Sequence, residues 1–108
     1  DIGLALELNT PYNRDICLTN KIFTYLSASL AVVASETSAQ KQFLGSYPAI
    51  GKSYPIGDIA SLAAHIAYYY NNPSAVAQAK TAARRLAFTE LNWEMEQNKL
   101  LTLIHSII

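Results

Sequence analysis

The chain has 108 residues, of which 51% are hydrophobic and 15% are charged, so it can fill the core of one small domain or of part of a larger one. Lys plus Arg equal Asp plus Glu at 8 each, and this balance predicts no nucleic-acid partner and no attraction to an anionic membrane. Cys17 is the only cysteine, which excludes a disulfide framework and a cysteine-rich zinc site, and no run approaches the roughly 18 apolar residues of a membrane span. We therefore expect a globular protein of the reduced cytoplasm.

The first predicted element is a buried strand that contains Ile2, Leu4 and Leu6 and ends near Glu7. Because this core-like sequence begins at once, we expect the chain to be a piece of a longer protein. Residues 8–18 are rich in turn-forming residues and predict a loop, which at this length is usually functional or mobile.

A short amphipathic helix follows, capped by Thr19 or Asn20, and it leads directly into a second strand. The helix places four apolar residues on one face: Ile22, Phe23, Leu26 and Leu30. Residues 30–34 then form an unbroken apolar run. A run without a polar side favours a strand that is covered on both faces, as in a parallel sheet.

Ser35 or Thr37 can cap a helix over residues 38–44, which we predict to end at Gly45 in a left-handed conformation. Residues 49–54, between two prolines, predict a short strand at the edge of the sheet. Asp58 then caps a helix that stops at residues 71–73. Its expected apolar period consists of Ile59, Leu62, Ala63, Ile66 and Tyr70.

Two more helices complete the chain, one over residues 74–90 and one over about 93–106 with Asn92 as its cap. The last helix carries one apolar face: Trp93, Leu100, Leu103, Ile104 and Ile107. The order of elements predicts an α/β protein with an incomplete Rossmann-like parallel sheet of about three strands, flanked by helices and followed by two C-terminal helices. Since such a sheet is narrow, we expect further strands upstream.

Three stretches are similar to one known family. Residues 20–36 read NKIFTYLSAS followed by LAVVASE, which resembles the family pattern NK(L/F)FEYMAAG followed by a Pro-Val-Val-Ala-Ser-Asp strand. Residues 54–62 and 92–94 continue the likeness. The chain thus resembles the C-terminal, donor-binding domain of the group 1, or family 4 type, retaining glycosyltransferases, which have the two-domain GT-B fold. The resemblance implies that the helix at about 93–106 packs toward a missing N-terminal domain.

Four departures from the family pattern concern donor binding or the connection between helix and strand. Thr24 stands where the family has a Glu that binds the nucleotide ribose, and Ile16 stands where a second Glu faces the donor sugar. Ser29 and Ala31 replace the usual Gly and Pro. A Thr hydroxyl can still accept one hydrogen bond from the ribose, but without the charge-assisted contact of a carboxylate.

The resemblance implies a set of donor-binding residues at the ends of the strands, where open α/β sheets bind ligands. Lys21 is a candidate partner of the diphosphate, and the alternative is a solvated lysine in the first turn of a helix. Simple capping explains the residues after the second strand equally well. The full candidate set consists of Glu7, Asn20, Lys21, Thr24, Ser35, Glu36 and Thr37.

We assign no catalytic residue and expect no metal. His65 and His105 lack a partner at metal-ligand spacing, and residues 68–70, three consecutive tyrosines, point in different directions and so fill core and surface. A retaining enzyme of this fold works mainly by positioning a nucleotide sugar and stabilising the leaving diphosphate. We therefore expect the donor as substrate, no other cofactor, and no turnover by these residues alone.

Two alternatives remain open. The first is a degenerate, non-catalytic α/β module used for protein contact, which the loss of both family Glu residues favours. The second is a flavodoxin-like or receiver-type regulatory domain. It requires an acidic cluster at the strand ends, and Asp1, Glu7 and Glu36 do not form a convincing one.

Overall fold

The computed structural model describes residues 2–10, 20–90 and 93–107. In chain order the elements are β1 (Ile2–Ala5), α1 (Asn20–Ser27), β2 (Ala31–Ser35), α2 (Ser38–Ser46), a 3-10 helix (Pro48–Ile50), β3 (Gly51–Tyr54), α3 (Ile59–Asn71), α4 (Pro73–Thr89) and α5 (Trp93–Ile107). The predicted caps Thr19 and Asn92, and the predicted loop from residue 11 onward, lie outside the described residues.

The three strands form one parallel sheet in the order β1, β2, β3. Ile2 lies opposite Ala31, and Val32 lies opposite Gly51. All five residues of the central strand β2 are buried, as its unbroken apolar run predicts. The prediction of an α/β protein with three parallel strands is therefore confirmed, and β3 lies at an edge of this sheet.

Alternate residues of β2 fill two separate cores. Val32 and Ala34 pack with Ile22 and Leu26 of α1. Ala31 and Val33 pack on the opposite face, and this core includes Tyr54, Tyr69 and Ala79. The alternation follows from strand geometry, in which successive side chains point to opposite faces.

Helix α4 contributes to both cores and closes the amino-terminal end of the sheet. Ala79 belongs to the core shared with α3, whereas Ala83 and Leu86, one and two turns later, belong to the core shared with α1. The helix also contacts the 3-10 helix, which includes the buried Ile50 and immediately precedes β3. The carboxyl ends of the strands lie at the other end of the sheet.

The connection between α1 and β2 is a Schellman turn. The N–H of Ser29 donates to the carbonyl of Leu26 at 3.0 Å, and the N–H of Leu30 donates to the carbonyl of Tyr25 at 2.9 Å. Ser29 has a φ of 57°, the left-handed conformation that glycine adopts most easily. The turn delivers the chain directly into the buried strand β2.

Two local predictions are wrong. Gly45 does not end α2 but lies within it, and the last turn closes where the N–H of Tyr47 donates to the carbonyl of Phe43. The first predicted strand ends at Ala5 instead of near Glu7, and it is not buried along its length, because Leu4 is 38% exposed. The buried positions of β1 are instead Gly3 and Ala5, and the Tyr25 ring covers Gly3 so closely that a Cβ there would lie 2.3 Å from the ring.

The predicted packing face of α3 is wrong in part, although Leu62 packs inward as predicted. Ile59, Ala63 and Tyr70 are exposed, and the inward face carries Leu62 and Tyr69. The helix carries apolar residues of its own around most of its circumference, so the periodicity of the sequence alone does not select one packing face. The three consecutive tyrosines divide as predicted, with Tyr69 buried and its two neighbours exposed.

The described side chains of α5, from residue 94 to residue 107, are all exposed. They include the apolar residues Leu100, Leu103, Ile104 and Ile107. The predicted helix is confirmed, and its packing against another domain stays a prediction.

Candidate functional site at the carboxyl ends of the strands

Strands β1 and β2 end side by side, and each is followed by a glutamate. We use the term carboxyl rim for residues 6–7 after β1, residues 35–37 at the end of β2, and Lys21 and Thr24 of α1. The Lys21 Nζ lies 2.9 Å from the Glu7 Oε1, and the Lys21 side chain is 57% exposed whereas the Glu7 side chain is 10% exposed. The predicted candidates Glu7 and Lys21 are thus brought together as an ion pair at the end of the sheet.

The Gln40 side chain joins the ends of β1 and β2. Its Nε2 donates to the carbonyl of Ser35 at 2.8 Å and to the carbonyl of Ala5 at 3.2 Å. The Ser35 hydroxyl donates to the carbonyl of Glu7 at 2.6 Å. These bonds extend the pairing of the two strands beyond Ala5 and Ala34, the last pair of the ladder, and hold the Glu7 backbone in place.

Gln40 is completely buried, and its Oε1 has no hydrogen-bond partner in the part of the chain that the structure describes. Buried acceptors are nearly always satisfied, so this oxygen is unusual. Gln40 is not among the site residues predicted from the sequence. The available signal was its position four residues before Leu44, which places an amide on the inward face of α2.

The Thr37 hydroxyl caps α2 by accepting a hydrogen bond from the N–H of Gln40 at 3.2 Å. Thr37 and Ser35 are both buried, so their side chains serve the protein itself. The capping interpretation of Thr37 is confirmed. Only the backbone groups of these two residues remain candidates for contact with a ligand.

Glu36 connects the rim to β3. Its Oε2 accepts a hydrogen bond from the Ser53 hydroxyl at 2.9 Å, and its N–H donates to the carbonyl of Tyr54 at 2.8 Å. The His65 Nε2 lies 2.9 Å from the carbonyl of Ser53, which gives this histidine a structural contact between α3 and β3. Ser53 is a further rim contact that the sequence analysis did not identify.

Thr24 lies one helical turn after Lys21 on α1, and both side chains are exposed. Asn20 is the first residue of this helix, and its side chain is outside the description. The exposed side chains of the rim are therefore those of Leu6, Lys21 and Thr24, beside the partly buried carboxylates of Glu7 and Glu36.

The segment after β3 also carries a carboxylate, Asp58, which caps α3. Its oxygens accept from the Ser61 N–H at 3.0 Å and from the Ser61 hydroxyl at 2.8 Å, and these bonds, the backbone bond first, lower the pKa of Asp58. Burial raises the pKa of Tyr54 at the end of β3, and a hydrogen bond with Ser35 opposes that increase. Among the described residues, no group of three or more His, Cys, Asp or Glu side chains is arranged to hold a metal ion.

A cleft of about 730 Å³ lies away from the rim, beside the first residue of β1 and between α3 and α4. Its walls are mainly apolar and include Ile2, Ile66, Tyr69 and Val76, with Lys80 as a cation. Ligand sites combine an apolar cleft with several convergent polar groups. We therefore favour the rim over this cleft as the candidate ligand site, because charged groups and hydrogen-bonding backbone groups converge at the rim.

Within the described residues, no helix has both the length and the apolar character that crossing a bilayer requires. No protein-family model, curated protein or solved structure shows significant similarity to this chain.

Proposed function

We propose that the chain is the donor-binding part of a cytoplasmic retaining glycosyltransferase, belonging to the C-terminal half of a GT-B enzyme. One observation carries the proposal: α1, whose sequence resembles the donor-binding helix of that family, begins beside the end of β1, the strand that pairs with β2, at the carboxyl rim of a parallel sheet. This edge is where open α/β sheets bind ligands.

The turn at Ser29 supports the same proposal independently of any side chain in the rim. The family pattern has glycine at this position, and Ser29 adopts the left-handed conformation that glycine favours. The Schellman turn therefore provides a physical reason for the family glycine at a position where this sequence departs from it. The backbone at this position has the conformation that glycine favours, although the residue is a serine.

In this proposal the rim holds a nucleotide sugar through a small number of contacts. The exposed Lys21 ammonium binds the diphosphate while it also contacts Glu7, because an ammonium has three N–H donors. The Thr24 hydroxyl contacts the ribose, and the N–H groups at the start of α2 face negative charge. The N-terminal domain of the full enzyme supplies the acceptor site, and the residues here position the donor and stabilise the leaving diphosphate.

A degenerate, non-catalytic module for protein contact is the second candidate. Two observations favour it: Thr24 replaces a carboxylate, and the side chains of Ser35 and Thr37 are buried and used within the protein. Such a module would retain the fold and the rim but would bind no nucleotide sugar.

Nucleotide titration separates the two candidates. We would add UDP, GDP and ADP, and then their glucose conjugates, to the isotopically labelled chain and follow the backbone amides by NMR. Donor binding predicts saturable shifts at Lys21, Thr24 and Glu36. The Lys21→Ala variant should bind at least about tenfold more weakly, as expected when a charged contact is lost.

The matched control is Lys99→Ala, because Lys99 forms an exposed ion pair with Glu96 on α5. This variant should leave the affinity unchanged. If no nucleotide or nucleotide sugar produces a saturable shift, the donor-binding proposal is wrong and the contact module is favoured.

A further inference from the structure

We propose that Glu7 makes the carboxyl rim select a donor whose sugar carries no charge over one whose sugar is a uronic acid. This inference rests on the proposed function and names the class of substrate. It follows from the charges and hydrogen-bonding groups that the fold places at the ends of β1 and β2.

Among the described residues of the rim, negative charges outnumber positive ones. Within the described parts of the chain, the rim contains the carboxylates of Glu7 and Glu36 and the ammonium of Lys21. The Glu7 carboxylate lies 2.9 Å from that ammonium and is largely shielded from solvent. Charges in partly buried positions interact more strongly than they do in water, so Glu7 offsets part of the positive charge of Lys21.

The fold also determines the position of the two carboxylates. Ala5 pairs with Ala34 in the parallel ladder, and the bond from the Ser35 hydroxyl to the Glu7 carbonyl continues that alignment. Glu7 and Glu36 therefore follow neighbouring strands, whose backbones lie about 5 Å apart. A second anion that enters between them would meet negative charge from both strands.

The carboxylates of the rim can accept hydrogen bonds from a sugar but cannot donate them. The two carboxylates of the rim offer acceptor oxygens, of which Glu7 Oε1 contacts Lys21 and Glu36 Oε2 contacts Ser53. Acceptors require donors, and the hydroxyl groups of a neutral hexose supply them. In a uronic acid, a carboxylate replaces the hydroxymethyl group at C6 of the hexose. This carboxylate accepts hydrogen bonds but donates none, and its charge repels the Glu7 carboxylate.

The test compares sugars that differ only at C6. The matched probes are UDP-glucose with UDP-glucuronate and GDP-mannose with GDP-mannuronate, and the informative pair is the one whose nucleotide the chain binds. Calorimetric titration of the wild-type chain should show about a tenfold preference for the neutral sugar, the size of effect that one uncompensated like charge produces near a protein surface.

The Glu7→Gln variant should narrow that preference to about threefold or less by strengthening the binding of the uronate. Glu36→Gln provides a second variant at the neighbouring strand and should narrow it in the same direction. Glu96→Gln is the control, because Glu96 is an exposed partner of Lys99 on α5, and it should leave the preference unchanged. Circular dichroism would verify that each variant is folded.

Equal binding of the two sugars by the wild-type chain, or a preference for the uronate, would overturn the role of Glu7 while leaving the donor-binding function intact. A wild-type preference that both glutamine variants retain would assign the selectivity to other residues and also overturn it. Failure of every nucleotide sugar to bind would overturn the proposed function itself.

Discussion

Gly51 provides the most direct test of the parallel pairing between β2 and β3. A Cβ added at this glycine would lie 1.9 Å from the carbonyl oxygen of Val32 and 2.7 Å from its carbonyl carbon. Both atoms belong to the backbone of the central strand, and Val32 is completely buried. The Gly51→Ala substitution therefore requires a backbone to move, since no flexible side chain can yield.

The magnitude follows from the size of that movement. The contact must open from 1.9 Å to about 3.4 Å, which separates β3 from β2 at the register position that Val32 and Gly51 share. Inserting one methyl group into a well-packed site usually costs about 1–3 kcal/mol, and a displaced ladder adds lost hydrogen bonds. We expect the free energy of unfolding to fall by about 3 kcal/mol or more, and the melting temperature by roughly 10 °C or more.

Urea denaturation followed by circular dichroism measures this change. The matched control is Gly45→Ala: Gly45 lies inside α2 with nothing within 4 Å of an added Cβ. This control should gain about 0.5–1 kcal/mol, because alanine favours a helix interior more than glycine does. A loss of less than 1 kcal/mol for Gly51→Ala would refute the close approach of the two strands.

Four further predictions concern the turns and caps. Ser29→Gly should raise the free energy of unfolding by up to about 1 kcal/mol in urea titrations, because it relieves the left-handed strain, and a clear loss would contradict the Schellman geometry. Tyr25→Phe should cost about 1 kcal/mol in the same assay, since the hydroxyl donates to the carbonyl of Leu4 at 2.8 Å. Thr37→Ala should cost about 1–2 kcal/mol through loss of the α2 cap, whereas Ser46→Ala, at the exposed end of the same helix, should change stability little. Asp58 has a pKa below its ordinary value of 3.8, so the contribution of its carboxylate to the free energy of unfolding is complete above pH 3.8 and is lost as the pH falls through the folded pKa. The Asp58→Asn variant should therefore lose less stability than the wild-type chain between neutral and acidic pH, as measured by urea unfolding at a series of pH values.

The sequence predicts the central part of the fold well because two strong signals coincide there. Ile22 and Leu26 share a helical face, and the apolar run through Ala34 has no polar side to expose to water. Strand β2 therefore lies within a residue of its predicted bounds, whereas α1 ends at Ser27, three residues before Leu30 of its predicted face. The α3 face failed for the opposite reason, since Ile59 and Tyr70 are as apolar as the residues that pack inward.

The carboxyl rim could be predicted as a place but not as a set of contacts. Parallel strands end at one edge, so Glu7 and Glu36 belong to one predicted set of donor-binding residues there, although the sequence does not predict that they form an acidic cluster. The Glu7 to Lys21 ion pair and the Gln40 bonds depend on side-chain rotamers and on the tilt of α1 and α2. Short-range patterns in a sequence carry no information about either.

The Gln40 amide has a mechanical consequence for any molecule captured at this edge. One side chain of α2 donates hydrogen bonds to two strands at the same time, to the carbonyls of Ala5 and Ser35, so a tilt of α2 would break both bonds. A displacement of the Glu7 backbone would consequently affect the first turn of α2 through the hydrogen bonds of Ser35 and Gln40. The two strand termini and the start of this helix are thus joined by one continuous set of hydrogen bonds.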